Sequence, residues 1–161
     1  MIRPAEVKDA SRLAEILIFA KRTAYRSIFK NDPVSFNEMQ VLDLALSFRD
    51  QTHTLNDLYV FDDGIVRGLI KWCKEDNSEN RIRIHELFVD PFFQGQGIGS
   101  IMMKDCIRHS KEQHSRQILL WVLEENKPAR AFYERHGFQY DGVQRFEAGT
   151  TAKLLEYSLE L

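Results

Sequence analysis

Apolar positions along the chain change their period several times, and each change marks an element. Ile2 to Pro4 suits a short first strand. In VKDASRLAEILIFAKRTAY, Ala10, Leu13, Ala14, Leu17, Ile18 and Lys21 recur at helical spacing after Asp9, which is placed as an N-cap. Lys30 to Pro33 breaks that pattern. Phe36, Met39, Val41, Leu42, Ala45 and Leu46 then predict a second helix from about Ser35 to Phe48, with Ser35 and Glu38 as a capping box.

After Asn56 the period shortens. LYVFDDGIVRGLIKWC has apolar β-formers on both sides of Asp63-Gly64, the signal of a two-residue type I′ hairpin. Arg81 to Pro91 alternates as far as Glu86 and is then apolar through Leu87, Phe88 and Val89. Pro91 cannot donate to a ladder and ends the strand. Ile98, Ile101, Met102, Asp105, Cys106 and His109 return to a period near 3.6, so a helix begins inside the glycine stretch. Gln117 to Leu123 reads as a strand buried on both faces. Asn126 to Phe138 reads as a short helix with Pro128 in its first turn and Gly137 beyond its end. Phe138 to Phe146 and Ala152 to Leu161 make a final pair of strands. The order β-αα-βββ-α-β-α-ββ predicts a mixed α/β sheet in a single domain spanning residues 1–161.

Composition narrows the function classes. The 161 residues suit one core, with 43% hydrophobic and 29% charged positions. A formal net charge of −2 argues against a nucleic-acid or anionic-membrane footprint. The start, MIRPAEVKDA, lacks an apolar leader core, and no apolar run is long enough to span a bilayer; the cytoplasm is the expected compartment. Cys73 and Cys106 lie in apolar runs, as small buried thiols do, and are too few for a disulfide framework. The histidines are scattered, with His109 and His114 off the spacing that stacks them on one helix face, so no metal is expected.

The unusual stretch is FFQGQGIGS, Phe92 to Ser100, between a strand and a helix. Glycine costs conformational entropy, so such a cluster indicates a tight turn or a close partner. A P-loop requires a Lys after its last glycine, and none follows Gly99. A dinucleotide fingerprint G-x-G-x-x-G fails at Ser100 and would leave five residues, Asp90 to Gln94, between strand and first glycine. A glycine loop without a ligand is the plain alternative. Gln94, Gly97 and Gly99 do fit Gln/Arg-x-x-Gly-x-Gly/Ala, in which consecutive backbone N–H groups and a helix N-terminus face an anion.

With that pattern the chain resembles the GNAT superfamily of acyl-CoA-dependent N-acyltransferases. A second block, NKPARAFYERHGF from Asn126 to Phe138, is similar to the family's N-x-x-A-x-x-F/L-Y-x-x-x-G-F segment at every anchor. One helix and one strand separate the blocks, as in the family. The resemblance covers Arg81 to Phe138, and outside it only the order and type of elements agree. It implies a mixed, mostly antiparallel central sheet splayed between two adjacent parallel strands, with helices on both faces. It also implies acetyl-CoA as cofactor, contacted by Leu87, Phe88, Val89, Gln94, Gly95, Gln96, Gly97, Ile98, Gly99, Ser100, Asn126 and Tyr133.

Acetyl transfer from a thioester to an amine sets the expected roles. The main chain of Leu87 to Val89 pairs with the pantetheine amides as a peptide augments a sheet edge. An N–H of Phe88 or Val89 polarises the thioester carbonyl, by analogy with oxyanion donors worth about 3 kcal/mol. Tyr133, whose phenol ordinarily titrates near pH 10, is the general acid for the leaving thiolate, an assignment carried by the resemblance. Asn126 contacts the cofactor, caps its own helix, or does both. Glu86 is the first choice of general base and His85 the second; the family has no fixed base position. Arg83 and Trp121 stand where some relatives carry carboxylates. Tyr25, Phe29 and Trp72 are candidate acceptor contacts, with the loop from Arg145 to Lys153; core packing is their alternative reading. The expected partner is a small-molecule amine or a protein N-terminus, and the final strands are a candidate homodimer surface. The reading from a different class is a non-catalytic acyl-CoA-binding regulatory module.

Overall fold

The computed structural model describes residues 1–75 and 78–161. The elements run β1 (Ile2–Pro4), α1 (Ala10–Phe29), α2 (Val41–Asp50), β2 (Leu58–Asp62), β3 (Val66–Glu75), β4 (Ser78–Val89), α3 (Ile98–Glu112), β5 (Gln117–Leu123), α4 (Lys127–Arg135), β6 (Gln139–Phe146) and β7 (Lys153–Glu160). Among the described residues the strands form one seven-stranded sheet in the order β1-β2-β3-β4-β5-β7-β6. It is mixed and mostly antiparallel, with β4 and β5 parallel. The β4–β5 ladder runs from Arg81–Gln117 to Ile84–Leu120, while β4 itself continues to Val89. No helix among the described residues is long and apolar enough to cross a membrane.

Contacts divide the chain into two units, Met1–Lys71 with Glu86–Met102, and Trp72–His85 with Met103–Leu161. In the first, α1 turns Ala10, Leu13, Ala14, Ile16 and Leu17 toward Ala45 and Phe48 of α2 and Leu58, Val60, Val66 and Leu69 of β2 and β3. Leu13 and Ile16 are fully buried, each such side chain contributing about 2 kcal/mol of transfer free energy. Asp9 occupies the N-cap position of α1 as expected, but its side chain makes no capping bond to the helix. Its carboxylate accepts from both Arg3 Nη atoms, at 2.7 and 2.9 Å, and from the Glu6 N–H at 2.9 Å. These donors hold it below the usual carboxylate range, against the opposing effect of burial.

Two other local expectations give way to side-chain hydrogen bonds. The helix expected from Ser35 begins at Val41, and Val34–Glu38 instead forms one wide π turn closed by Met39 N–H to Val34 O. Arg22 reaches over from α1 and donates to the carbonyls of Ser35 and Met39, at 2.8 and 2.9 Å. Those acceptors are drawn out of a helical ladder, and the Ser35–Glu38 capping box is not made. Between β2 and β3, Asp62 pairs with Val66, so the connection is Asp63-Gly64-Ile65 rather than a two-residue turn. Only Gly64 there has positive φ (105°), whereas a type I′ turn needs two such residues. The Asp62 carboxylate fixes the loop by accepting the Gly64 N–H at 2.9 Å while it also holds Arg3.

In the second unit the buried side chains include Ile82, Ile84, Met103, Cys106, Ile118, Leu120, Val122, Phe138, Leu155 and Tyr157. Edge strand β6 is exposed along its length and its register with β7 shifts between Tyr140 and Gln144. A bulge of this kind protects an edge from further pairing.

Candidate active site

The glycine turn is anchored by a residue that sequence patterns did not single out. Asp90, 2% exposed at the end of β4, accepts the Phe92 N–H at 2.8 Å through one oxygen. Its other oxygen accepts from Arg12 of α1, which also donates to Val66 O at 2.9 Å and Glu15 at 2.6 Å. The Asp90 N–H donates to Arg67 O, and its carbonyl accepts from Phe93 in the 3-10 turn Pro91–Phe93. A buried carboxylate paired in this way fixes where the loop leaves the strand.

From that anchor Gln94 folds back, its Nε2 donating to Val89 O at 3.2 Å. Gly95 and Gly97 adopt positive φ, 76° and 81°, and a Cβ on either would meet nothing within 4 Å. Gln94 to Gly97 are exposed, while Ile98 is buried and seats the start of α3. The first ladder bond is donated by Ile101 to Gly97 O. The N–H groups of Ile98, Gly99 and Ser100 thus belong to the first helical turn, which has no intrahelical acceptor. The turn is an open, left-handed bend that delivers a helix N-terminus with a half-unit of positive charge to its surface.

Gly68 of β3 lies behind this bend. A Cβ there would come within 2.8 Å of Met102 Cε, 3.0 Å of Phe88 O and 3.3 Å of Ile98 Cγ2. The glycine lets α3 and the end of β4 pack against β3 at that distance. An isolated glycine inside a strand pattern is the signal that finds it.

The first unit also gathers Tyr25, Phe29, Glu86 and Phe88. Tyr25 meets Phe29 and Phe88 edge to face, with ring centroids 5.9 and 6.4 Å apart. The Lys21 ammonium lies 3.6 Å from Glu86 and 5.7 Å from the Phe88 ring centroid, so a side-chain amine contacts the carboxylate expected to serve as base.

The remaining candidates lie in the second unit. Trp72 is 6% exposed with its ring 5.3 Å from that of His109, so it packs as a core side chain. His85 is exposed beside Cys73, which is half-buried rather than enclosed. Arg83 is engaged by Glu75 and Glu156, and Arg145 stacks over Trp121 at 4.4 Å. Tyr133 is half-buried between Phe132 and Phe138, with ring centroids 5.4 and 5.9 Å away. Its helix is held from below: buried Tyr157 of β7 donates to Glu134 and accepts from Arg130, at 2.8 and 3.0 Å. Burial raises the Tyr157 phenol above its ordinary value, so it remains a neutral tether. Asn126 caps α4, accepting the Ala129 N–H at 3.3 Å, and Gly137 ends it with φ of 90°.

The same fold recurs in solved structures. PaiA N-acetyltransferase from Thermoplasma acidophilum, solved with coenzyme A, superposes with a TM-score of 0.72 at 17% identity, over 97% of this chain and 96% of that one. A probable spermine N(1)-acetyltransferase of Bacillus subtilis subsp. natto is 37% identical over 80 residues, 49% of this chain and 53% of that protein. An uncharacterized N-acetyltransferase of Methanocaldococcus jannaschii is 40% identical over 76 residues, 47% of this chain and 34% of that one. The chain thus spans between a third and about half the length of these two relatives. Residues 20–138 match the acetyltransferase (GNAT) family, to which the chain belongs.

Proposed function

We propose that the chain transfers an acetyl group from acetyl-CoA to a primary amine by direct attack while both are bound. The observation that carries this reading is the open turn from Gln94 to Gly99. Gly95 and Gly97 leave space where a Cβ would project, and the turn ends on the amides of the first turn of α3. Those features fit a pyrophosphate, which takes N–H donors and needs close backbone approach.

Gln94, Gly95, Gln96, Gly97, Ile98, Gly99 and Ser100 would hold the diphosphate. The main chain of Leu87, Phe88 and Val89 would hold the pantetheine; that β4 runs beyond its last pairing with β5 supports this use. Bound acetyl-CoA supplies the acetyl group as a thioester. Asn126 keeps α4 capped, and Tyr133 protonates the departing thiolate. Glu86 accepts the proton of the acceptor amine, directly or through water, since an alkyl ammonium ordinarily titrates near 10.4 and must be neutral to attack. Lys21, resting on Glu86 and Phe88, supports an ammonium-bearing acceptor at this place, flanked by Tyr25 and Phe29. A small polyamine is the first acceptor to try, because the Bacillus relative is named for spermine.

The test is thiol release from acetyl-CoA in the presence of a panel of amines and N-terminal peptides. The expected result is amine-dependent release of CoA. Tyr133→Phe should lower kcat by about 100-fold with CoA affinity unchanged. Binding of acetyl-CoA with no release by any acceptor would favour a regulatory acyl-CoA-binding module instead.

A further inference from the structure

A thiol and an imidazole meet on neighbouring strands, the imidazole being that of His85, which the transfer reading leaves aside in favour of Glu86. Sγ of Cys73 in β3 lies 3.2 Å from Nε2 of His85 in β4, both in the second unit. Cys73 is half-buried and His85 exposed, so a small reagent reaches the pair from solvent. The other cysteine is its opposite. Cys106 is 1% exposed, and burial pushes its thiol up to about 12, with the Ser110 hydroxyl opposing. The thiolate is the reactive form of cysteine, and a base within hydrogen-bond reach of the thiol is the arrangement that generates it.

We propose that Cys73, with His85 as its base, is a site of thiol–disulfide exchange with small disulfides. His85 Nε2 takes the Sγ proton, and Sγ attacks one sulfur of the disulfide. The new S–S bond forms as the old one breaks. The departing thiolate recovers the proton from the imidazolium, leaving a mixed disulfide on Cys73 and one free thiol, with no net oxidation. The step requires neither acetyl-CoA nor an amine, so its outcome is separate from that of the transferase reading.

The experiment treats the full chain with 2-hydroxyethyl disulfide at pH 7 and follows each cysteine by peptide mass mapping. An unassisted thiol is only a few per cent ionised there, so Cys73 in the native chain should react at least about tenfold faster than in the urea-unfolded chain. Cys106 should react only after unfolding. His85→Gln should return the native Cys73 rate to the unfolded one. A native rate no faster than the unfolded rate would overturn the proposal, and that comparison requires no variant. A His85→Gln chain that keeps the fast rate would overturn it equally.

Discussion

Substituting Gly68 by alanine probes how β3, β4 and α3 fit together behind the glycine turn. The added methyl would sit 2.8 Å from Met102 Cε, 3.0 Å from Phe88 O and 3.3 Å from Ile98 Cγ2. Met102 is fully buried and Ile98 4% exposed, so neither side chain swings into solvent to make room. The carbonyl of Phe88 is main chain and moves only with β4. Overpacking of this kind costs about 1–3 kcal/mol, offset by the 0.4–1 kcal/mol that losing a glycine takes from unfolded-state entropy. A net loss of about 1–2 kcal/mol is expected, which for a chain of 161 residues lowers Tm by about 3–6 °C. The assay is thermal unfolding of a double-mutant cycle with Met102→Leu, a swap of similar volume that removes Cε. Gly68→Ala should cost at least about 1 kcal/mol less in the Met102→Leu background. Costs that add within about 0.5 kcal/mol would refute the assigned clash. The flanking displacement should also weaken CoA binding in the single variant, measured by calorimetry.

Other expectations concern the same unit. Arg12→Met removes the guanidinium from buried Asp90 and should destabilise by about 3–5 kcal/mol in chemical denaturation; a loss below 1 kcal/mol would show that the Phe92 N–H alone secures the carboxylate. Gly97→Ala meets no neighbour within 4 Å, so its cost is the positive φ of 81°, about 1 kcal/mol in stability. CoA binding should weaken at least tenfold in that variant, and an unchanged Kd would count against a main-chain cradle. Asp9 is held below its ordinary pKa by Arg3, so the unfolded chain binds the proton more readily. Its contribution is therefore full above the unfolded value of about 3.9 and is lost as pH falls through the lower folded one. Urea titrations should show Asp9→Asn less stable than wild type at pH 6, with the gap closing in strong acid; a constant gap would contradict the assignment.

The order of elements was legible because apolar period is a property of each segment alone. β1 and β5 take the expected bounds, and the capped helix from Asn126 forms as its Pro128 and Gly137 indicate. What the pattern did not reveal depends on partners distant in sequence. Arg22 decides where α2 begins by taking carbonyls thirteen and seventeen residues away. Arg3 and Glu6 divert Asp9 from capping, and Arg12 finds Asp90 across 78 positions. Long arginine side chains carry no periodic signature of where their guanidinium ends. The glycine turn could be read because its requirement is local, positive φ and open space. Trp72 could not be sorted between wall and core from its residue type, and its neighbour His109 comes from α3.

One helix holds two duties at once. Near the beginning of α1, Arg12 grips the carboxylate from which the glycine bend departs; further along, the same rod presents Lys21 and Tyr25 to Glu86 and Phe88, with Phe29 against Tyr25. A packed helix of 20 residues shifts as a body rather than stretching. Any tilt or slide provoked at the aromatic end is therefore felt at the aspartate, and a ligand that steadies either end stiffens the footing of the other.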